Sequence, residues 1–360
     1  MIRAILHVNA AVDWVERAHA AANDGGISKG YDLLRRRWFP SYPETTGYTI
    51  PTLLNTAALF ERETLRPVAF RLADYLLEHA TEHGGVTHWS GSTPPIVFDT
   101  GQVIFGWLAA YDACGDSRYL RAAERAGDWL VSVQSDSGAW NDYQHLDVVK
   151  VIDTRVAWAL LGLYKHTHKE EYRRSAALNL EWAVRQQNAD GWFRRCAFTD
   201  RDDPFTHTLA YTAEGLFECG LLLNEPRFVE AARLMADALL TRQRADGSLA
   251  ATYAAGWRAT SRSSCLTGNC QMARLWLRFF EAGGAQSYYA AAQRSVAFVS
   301  RTQNLRTSNS NIRGAIGGSH PIYGVYERLK CPNWSAKFFI DALLLLTVID
   351  RRQPFLQYAG

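Results

Sequence analysis

A chain of 360 residues, 48% hydrophobic and 21% charged, has the composition of a well-buried globular protein. Its formal net charge of +3 provides no strong field for a nucleic acid or a membrane surface. It also lacks an apolar run of the roughly 18 residues needed to span a bilayer. The six cysteines (Cys114, Cys196, Cys219, Cys265, Cys270 and Cys331) are scattered, unlike a secreted disulfide framework. The first residues carry no basic stretch followed by an apolar one. Reduced thiols and a cytoplasmic location are the expectation.

In chain order, an amphipathic stretch over about 9–22 predicts a first outer helix. The segment TGYTIPTLL, from Thr46, predicts a first inner one. The same Thr-led apolar pattern recurs at Thr100, Thr154 and Thr208, with a constant spacing of 54 residues. A fifth segment starts at Thr267 and a sixth, NWSAKFFIDALLLL, at Asn333. These six are hydrophobic around most of their circumference, as helices buried on several sides are. Between them lie amphipathic helices over 64–80, 118–133, 171–186, 227–242 and 287–302, with charges such as Arg121, Glu124 and Arg125 on a solvated face. A regular internal period of this kind marks a repeat architecture. The prediction is all-α: an (α/α)6 toroid forming one domain over residues 1–360, with alternating outer and inner helices.

Links from inner to outer helices are short, and links from outer to inner are roughly 15–30 residues, longer than helix–helix connections usually are. The long links are rich in Trp, Gly, His and Pro, and all fall at the N-terminal ends of the inner helices. That rim is the expected working face. Three outer helices end in related turns, Gln134 to Trp140, Gln187 to Trp192 and Gln243 to Ser248, in which glycine supplies a left-handed stop. The pattern is similar to one in terpene cyclases and other α/α toroids, and it speaks of architecture, not chemistry.

The residues preceding the repeat threonines are Thr45, Asp99, Asp153, His207 and Leu266, and three of them are ionisable. Asp99, Asp153, His207 and Glu44 are the candidate catalytic groups. Sugar chemistry commonly uses two carboxylates, one protonated as an acid and one ionised. An Asp99–Asp153 pair on adjacent inner helices would supply them. Each Asp is equally at home as an N-cap, His207 as a structural histidine, and Glu44 as a loop charge. Gln102, Arg155, Asn269 and Lys337 are polar candidates for the same mouth, with Tyr48, Tyr211 and Trp334. Trp89 and Trp257 are candidates for stacking on a sugar ring, whereas Trp140 and Trp192 are better placed as wedges between hairpins. The Gly-Gly-Ser-His-Pro turn is expected to close over the pocket and carry His320 and Tyr323. Inner-helix N-termini favour an anionic group such as a uronate.

With these elements in place, the chain resembles the six-hairpin glycosidase-like superfamily over nearly its whole length. Asp99 in VFDTGQV and Asp153 in VIDTRVA resemble the carboxylates of unsaturated glucuronyl and rhamnogalacturonyl hydrolases in place and spacing. The resemblance implies protonation and hydration of a 4,5-unsaturated uronide, followed by ring opening. The N-acylglucosamine 2-epimerase branch shares the fold and implies an alternative, proton transfer at a sugar carbon by groups such as His207 and His320. A lyase, or a non-catalytic toroid binding glycan or protein, stays open. The expected partner is a sugar or polysaccharide substrate, with no nucleic acid, and the oligomeric state is undetermined. No Walker loop, Rossmann fingerprint or nucleophile elbow occurs. Cys265, Cys270 and His320 fall short of a tetrahedral zinc set. Neither cofactor nor metal is expected.

Overall fold

Two periodicities organise the chain. In α5 (Ser117–Ser132) only Tyr119, Ala122, Ala123, Ala126, Gly127, Trp129 and Leu130 are buried, the i, i+3, i+4 stripe of a surface helix. In α8 (Thr206–Leu223) every residue from Thr206 to Gly220 is buried. These are the outer and inner types, and they alternate. Outer α1 (Ile2–Ala22), α3 (Leu65–Leu77), α5, α7 (Glu170–Val184), α9 (Pro226–Leu240) and α11 (Gln286–Thr302) surround the inner ring. That ring consists of α2 (Pro43–Phe60), α4 (Val97–Cys114), α6 (Thr154–Thr167), α8, α10 (Leu266–Glu281) and α12 (Asn333–Arg351). The computed structural model describes residues 2–88, 94–200 and 202–351.

Each inner helix packs on the next, and α12 packs on α2, so the inner ring closes. The sixth hairpin is assembled from the two ends of the chain, α12 against α1. None of the described helices is long and apolar enough to cross a membrane.

Four of the five inner helices that carry a repeat threonine begin before it. Thr46 and Thr100 are the fourth residues of their helices, Thr208 the third, Thr267 the second and Thr154 the first. The hydroxyl explains why threonine recurs. Thr46 Oγ1 donates to the Tyr42 carbonyl at 2.8 Å and accepts from the Ile27 N–H at 3.1 Å. Thr100 Oγ1 does the same with the Ile96 carbonyl and the Val86 N–H, at 2.8 and 2.9 Å. Each ties the loop leaving an outer helix to the first turn of the next inner one.

The Gln–Gly turns link adjacent outer helices. Gln134 Nε2 donates to Gly138 O and to Ser175 O on α7, both at 3.0 Å. Gln187 reaches Gly191 O and Ala231 O, and Gln243 reaches Gly247 O and Ala291 O. A fourth copy, hidden in the sequence by its longer spacing, joins Gln303 to Gly314 O and His7 O at 2.9 and 3.1 Å and closes the outer ring. Gly314 has φ +86°, and a Cβ there would lie 1.9 Å from the Ala10 carbonyl oxygen. Only glycine fits that approach.

The rim loops carry short antiparallel pairs. Strands β1 (Gly30–Asp32) and β2 (Arg37–Trp38) lie in the first long loop, β3 (Tyr253–Ala254) pairs with β4 (Arg258–Ala259), and β5 (Ser264–Cys265) pairs with β6 (Ser319–His320). Strand β7 (Lys330–Pro332) pairs with β1, a second link between the two ends of the chain.

Candidate active site

The long loops and the first turns of the inner helices enclose a cavity of about 140 Å³. From the first repeat come Lys29, Tyr42, Glu44, Thr45 and Tyr48; from the second, His88, Phe98 and Asp99. The 133–153 loop adds Gln144, His145, Lys150 and Ile152, and Phe198, His207 and Tyr211 enter with α8. Tyr326, Glu327 and Trp334 complete the wall from the last repeat. A wider groove between α7 and α9 is lined by Glu170, Arg173, Glu225 and Arg227, which pair with one another as exposed ions.

Two carboxyl groups, Asp99 and Glu44, meet in the cavity. Asp99, only 2% exposed, accepts from His88 Nδ1–H at 2.8 Å and from the Tyr42 hydroxyl at 3.5 Å. Glu44 is pushed up to about 8, first by burial and then by the negative charge of Asp99. A hydrogen bond from Tyr42 and the charges of Lys29 and Arg155 pull it the other way without prevailing. At neutral pH Glu44 therefore holds its proton beside Asp99, an arrangement suited to general-acid chemistry.

The imidazoles are held differently. His207 donates Nδ1–H to Gln271 Oε1 at 2.7 Å, and burial lowers it to about 4, so it is neutral and carries its lone pair on Nε2. His145 is also lowered by burial and by the nearby His88. It sits in a stretch where Tyr143, Leu146 and Asp147 all have φ between +51° and +61°, a concentration of backbone strain that surrounding contacts must sustain. Lys150 supplies such contacts: its ammonium donates to the carbonyls of His145 and Val148, both at 2.6 Å.

Of the residues singled out from sequence, Asp99, Glu44, His207, Tyr48, Tyr211 and Trp334 line this cavity. Asp153 does not. It is 1% exposed, its Oδ2 accepts from Gln144 at 2.9 Å, and burial raises it to about 7 with Lys150 as its nearby charge. The expected Asp99–Asp153 pair is thus replaced in the cavity by Asp99 and Glu44. Asp153 occupies the N-cap position of α6, but its side chain accepts no capping bond. Gln102, Arg155 and Lys337 lie deeper in the barrel. Arg155 donates to Gln102 Oε1 at 2.9 Å and pairs with Glu214, while Lys337 pairs with Asp341 at 2.7 Å. Asn269 holds a loop, accepting from the Leu249 N–H and donating to the Cys265 carbonyl.

Trp257 is buried with its Nε1–H on the Asp190 carbonyl at 2.8 Å, so it is a wedge and not a sugar platform. Trp140 and Trp192 are wedges too, bonded to the carbonyls of Leu130 and Tyr253. His320 is exposed in strand β6, its ring edge-on to Phe298, and Tyr323 is 62% exposed; neither reaches the cavity. Their loop contributes Tyr326 and Glu327 instead. Trp89 lies outside the described residues. Cys265 Sγ accepts from the Gly268 N–H at 3.3 Å and caps α10, with burial raising the thiol to about 12. Among the described residues no group of three or more His, Cys, Asp or Glu side chains is arranged to hold a metal.

Sequence reasoning did not find Lys29, Tyr42, His88, Gln144, His145, Tyr326 or Glu327. Tyr42 and Glu44 share one short motif, SYPE, and could have been taken together. The others depend on how long loops fold back.

Solved structures share this architecture. An unsaturated glucuronyl hydrolase specific for heparin superposes with a TM-score of 0.76 at 15% identity, covering 96% of this chain and 97% of that one. The unsaturated glucuronyl hydrolase of Bacillus sp. GL1, responsible for the degradation of glycosaminoglycan, gives 0.76 at 16%, covering 97% of each. A sugar epimerase from a ruminal bacterium gives 0.76 at 13%, covering 99% of this chain and 100% of that one. At such identities the likeness establishes the six-hairpin toroid. No curated protein matches the sequence. The model of the squalene-hopene cyclase C-terminal domain matches residues 42–224, just over half of the chain and the stretch that holds two of the four Gln–Gly turns and most of the cavity's acid groups. The chain is a six-hairpin toroid and belongs to the squalene-hopene cyclase C-terminal domain family.

Proposed function

We propose that this chain is a carbohydrate-active enzyme whose cavity takes a uronic-acid-containing sugar or the end of a polysaccharide, and that it acts as a glycoside hydrolase. The observation that carries the reading is the placement of two buried carboxyl groups, Glu44 and Asp99, in one cavity, where burial pushes Glu44 up to about 8. Glu44 is the acid. Asp99 stabilises the positive charge that develops when the proton is delivered. On a 4,5-unsaturated uronide, the reaction that the resemblance implies, Glu44 protonates C4, water adds at C5, and the ring opens.

An anionic sugar suits the surroundings. Lys29 stands on the cavity wall, Arg155 lies within 4.8 Å of the Tyr211 ring, and α2, α4, α8 and α12 present their N-termini to the cavity. A long hydrocarbon such as squalene would instead desolvate these charged groups without compensation. The solved neighbours named above act on glucuronyl substrates or epimerise sugars, which supports the same substrate class. The unpaired cysteines fit a reducing compartment such as the cytoplasm.

One observation favours epimerisation as a second reading: His207, held neutral with Nε2 as its lone-pair nitrogen, is suited to removing a proton from carbon. Incubation with unsaturated glucuronyl disaccharides in deuterated water separates the two. Hydration and cleavage abolish the ultraviolet absorbance of the C4=C5 bond. Epimerisation of a saturated uronide incorporates deuterium at one carbon with the linkage intact. Turnover of neutral sugars in preference to uronides would overturn the acidic-sugar assignment.

A further inference from the structure

We infer that His88 is the proton-accepting group of this cavity and that Asp99 acts through it as a positioning residue. The inference deepens the uronide reading and takes its substrate from it. Both oxygens of Asp99 are engaged, Oδ2 by His88 at 2.8 Å and Oδ1 by Tyr42 at 3.5 Å, and the carboxylate is 2% exposed. Both side chains line the cavity, and His88, 16% exposed, is the more open of the two.

Asp99 takes the Nδ1 hydrogen, so the neutral ring has its lone pair on Nε2. A carboxylate on the far nitrogen fixes the tautomer and stabilises the imidazolium once the proton arrives. The ring is set between two others, Tyr42 at 4.8 Å and His145 at 5.0 Å between centroids. The charged and titratable groups around it are Asp99 from α4, Tyr42 and Glu44 from the entry of α2, His145 and Lys150 from the 133–153 loop, and Lys29 from the first long loop. Burial and the nearby His88 lower His145 and so favour its neutral form, which limits charge repulsion between the two rings.

The Glu44 carboxyl proton goes to C4 of the C4=C5 bond, leaving a cation at C5 shared with the ring oxygen. A water oxygen bonds to C5 and releases its proton to His88 Nε2. The imidazolium then returns that proton to the Glu44 carboxylate, so one water is added and both residues are restored.

The test uses the full chain and its His88→Ala, His88→Gln and Asp99→Asn variants, with an unsaturated glucuronyl disaccharide as the probe. His88→Ala is expected to lower kcat by about 10²-fold or more, with KM changed by less than about threefold, and added imidazole should restore at least part of the loss. In histidine-labelled protein, with the His88 resonance identified by its absence in His88→Gln, Asp99→Asn should lower the His88 titration midpoint by about one unit or more. Retention of wild-type kcat in His88→Ala together with an inactive Asp99→Asn would mean that Asp99 accepts the proton directly, and would overturn the inference. An unchanged His88 midpoint in Asp99→Asn would also overturn it. If the wild-type chain leaves the disaccharide intact, the uronide reading fails, while the titration arm, which needs no substrate, still decides whether Asp99 controls the proton on His88.

Discussion

Two clusters of buried charge lie in the same barrel, and they behave in opposite ways. Deep inside, each inner helix contributes to a girdle. Gln102, Arg155, Glu214 and Arg274 form one chain of contacts, with both guanidinium groups on the Glu214 carboxylate. Lys337 and Asp341 form a second, to which Thr52 donates at 2.7 Å. At the mouth, Glu44, Asp99 and His88 share a cavity in which one carboxylate is driven to hold its proton. The girdle's opposite charges face each other and are enclosed by helices; the mouth's like charges face an opening. Buried charge alone therefore does not mark a site. The distinguishing features are unmatched sign and access.

Removing the centre of the girdle should have the largest effect. Glu214→Leu leaves two enclosed guanidinium groups without their carboxylate, and a loss of about 3–5 kcal/mol of stability is expected by urea or thermal unfolding. Unfolding unaltered within error would mean that the girdle contributes no net stability. Glu44→Gln should do the reverse, lowering kcat by about 10²-fold or more while leaving the fold intact. Its stability profile carries a sign. Glu44 titrates near 8 in the folded chain, above the ordinary carboxylate value, so its contribution is present in acid and is lost as pH rises from about 4.5 through 8. The Gln variant should lack that decline and melt higher than wild type at pH 8–9.

Asp153→Asn sharpens the boundary between the two clusters. Asp153 is enclosed like the girdle yet raised to about 7 like the mouth. A fall in kcat of less than about tenfold is expected, and a loss equal to that of Glu44→Gln would bring it into the reaction. The smallest effect should come from His207→Gln on stability. His207 titrates near 4, below its ordinary value, so its contribution is lost as pH falls from about 6.5 through 4. The variant should lose stability less steeply over that interval in calorimetry.

The repeat was legible because its signals are local. A constant spacing, apolar circumference on inner helices and glycine turns on outer ones all follow from helix geometry. The mouth was legible to the same extent: Asp99, Glu44, His207 and Trp334 sit in the first turns of inner helices, Tyr48 and Tyr211 are the sixth residues of theirs, and all six line the cavity. Depth was not legible. Gln102 is the sixth residue of α4, as Tyr48 and Tyr211 are of α2 and α8, yet they line the cavity and it is bonded to Arg155; hydrophobic patterning does not distinguish a polar side chain at the mouth from one matched in the girdle. His88 and His145 were missed for a different reason. They belong to loops whose path is set by tertiary contacts, such as the Lys150 ammonium on two carbonyls, and no periodicity points to them.

The seam between α1 and α12 has a consequence for how the molecule comes into being. Of the twelve described helices, α1 leaves the ribosome first and α12 last, and each must wait for the other to complete a hairpin. Strand β1 likewise waits for β7. Lys29 and Glu44 are translated early and Tyr326, Glu327 and Trp334 late, yet they are walls of one chamber. A nascent chain stalled before α12 would hold Glu44 without the wall that Trp334 supplies, so vectorial synthesis itself keeps the acid from an assembled site until the ring has closed.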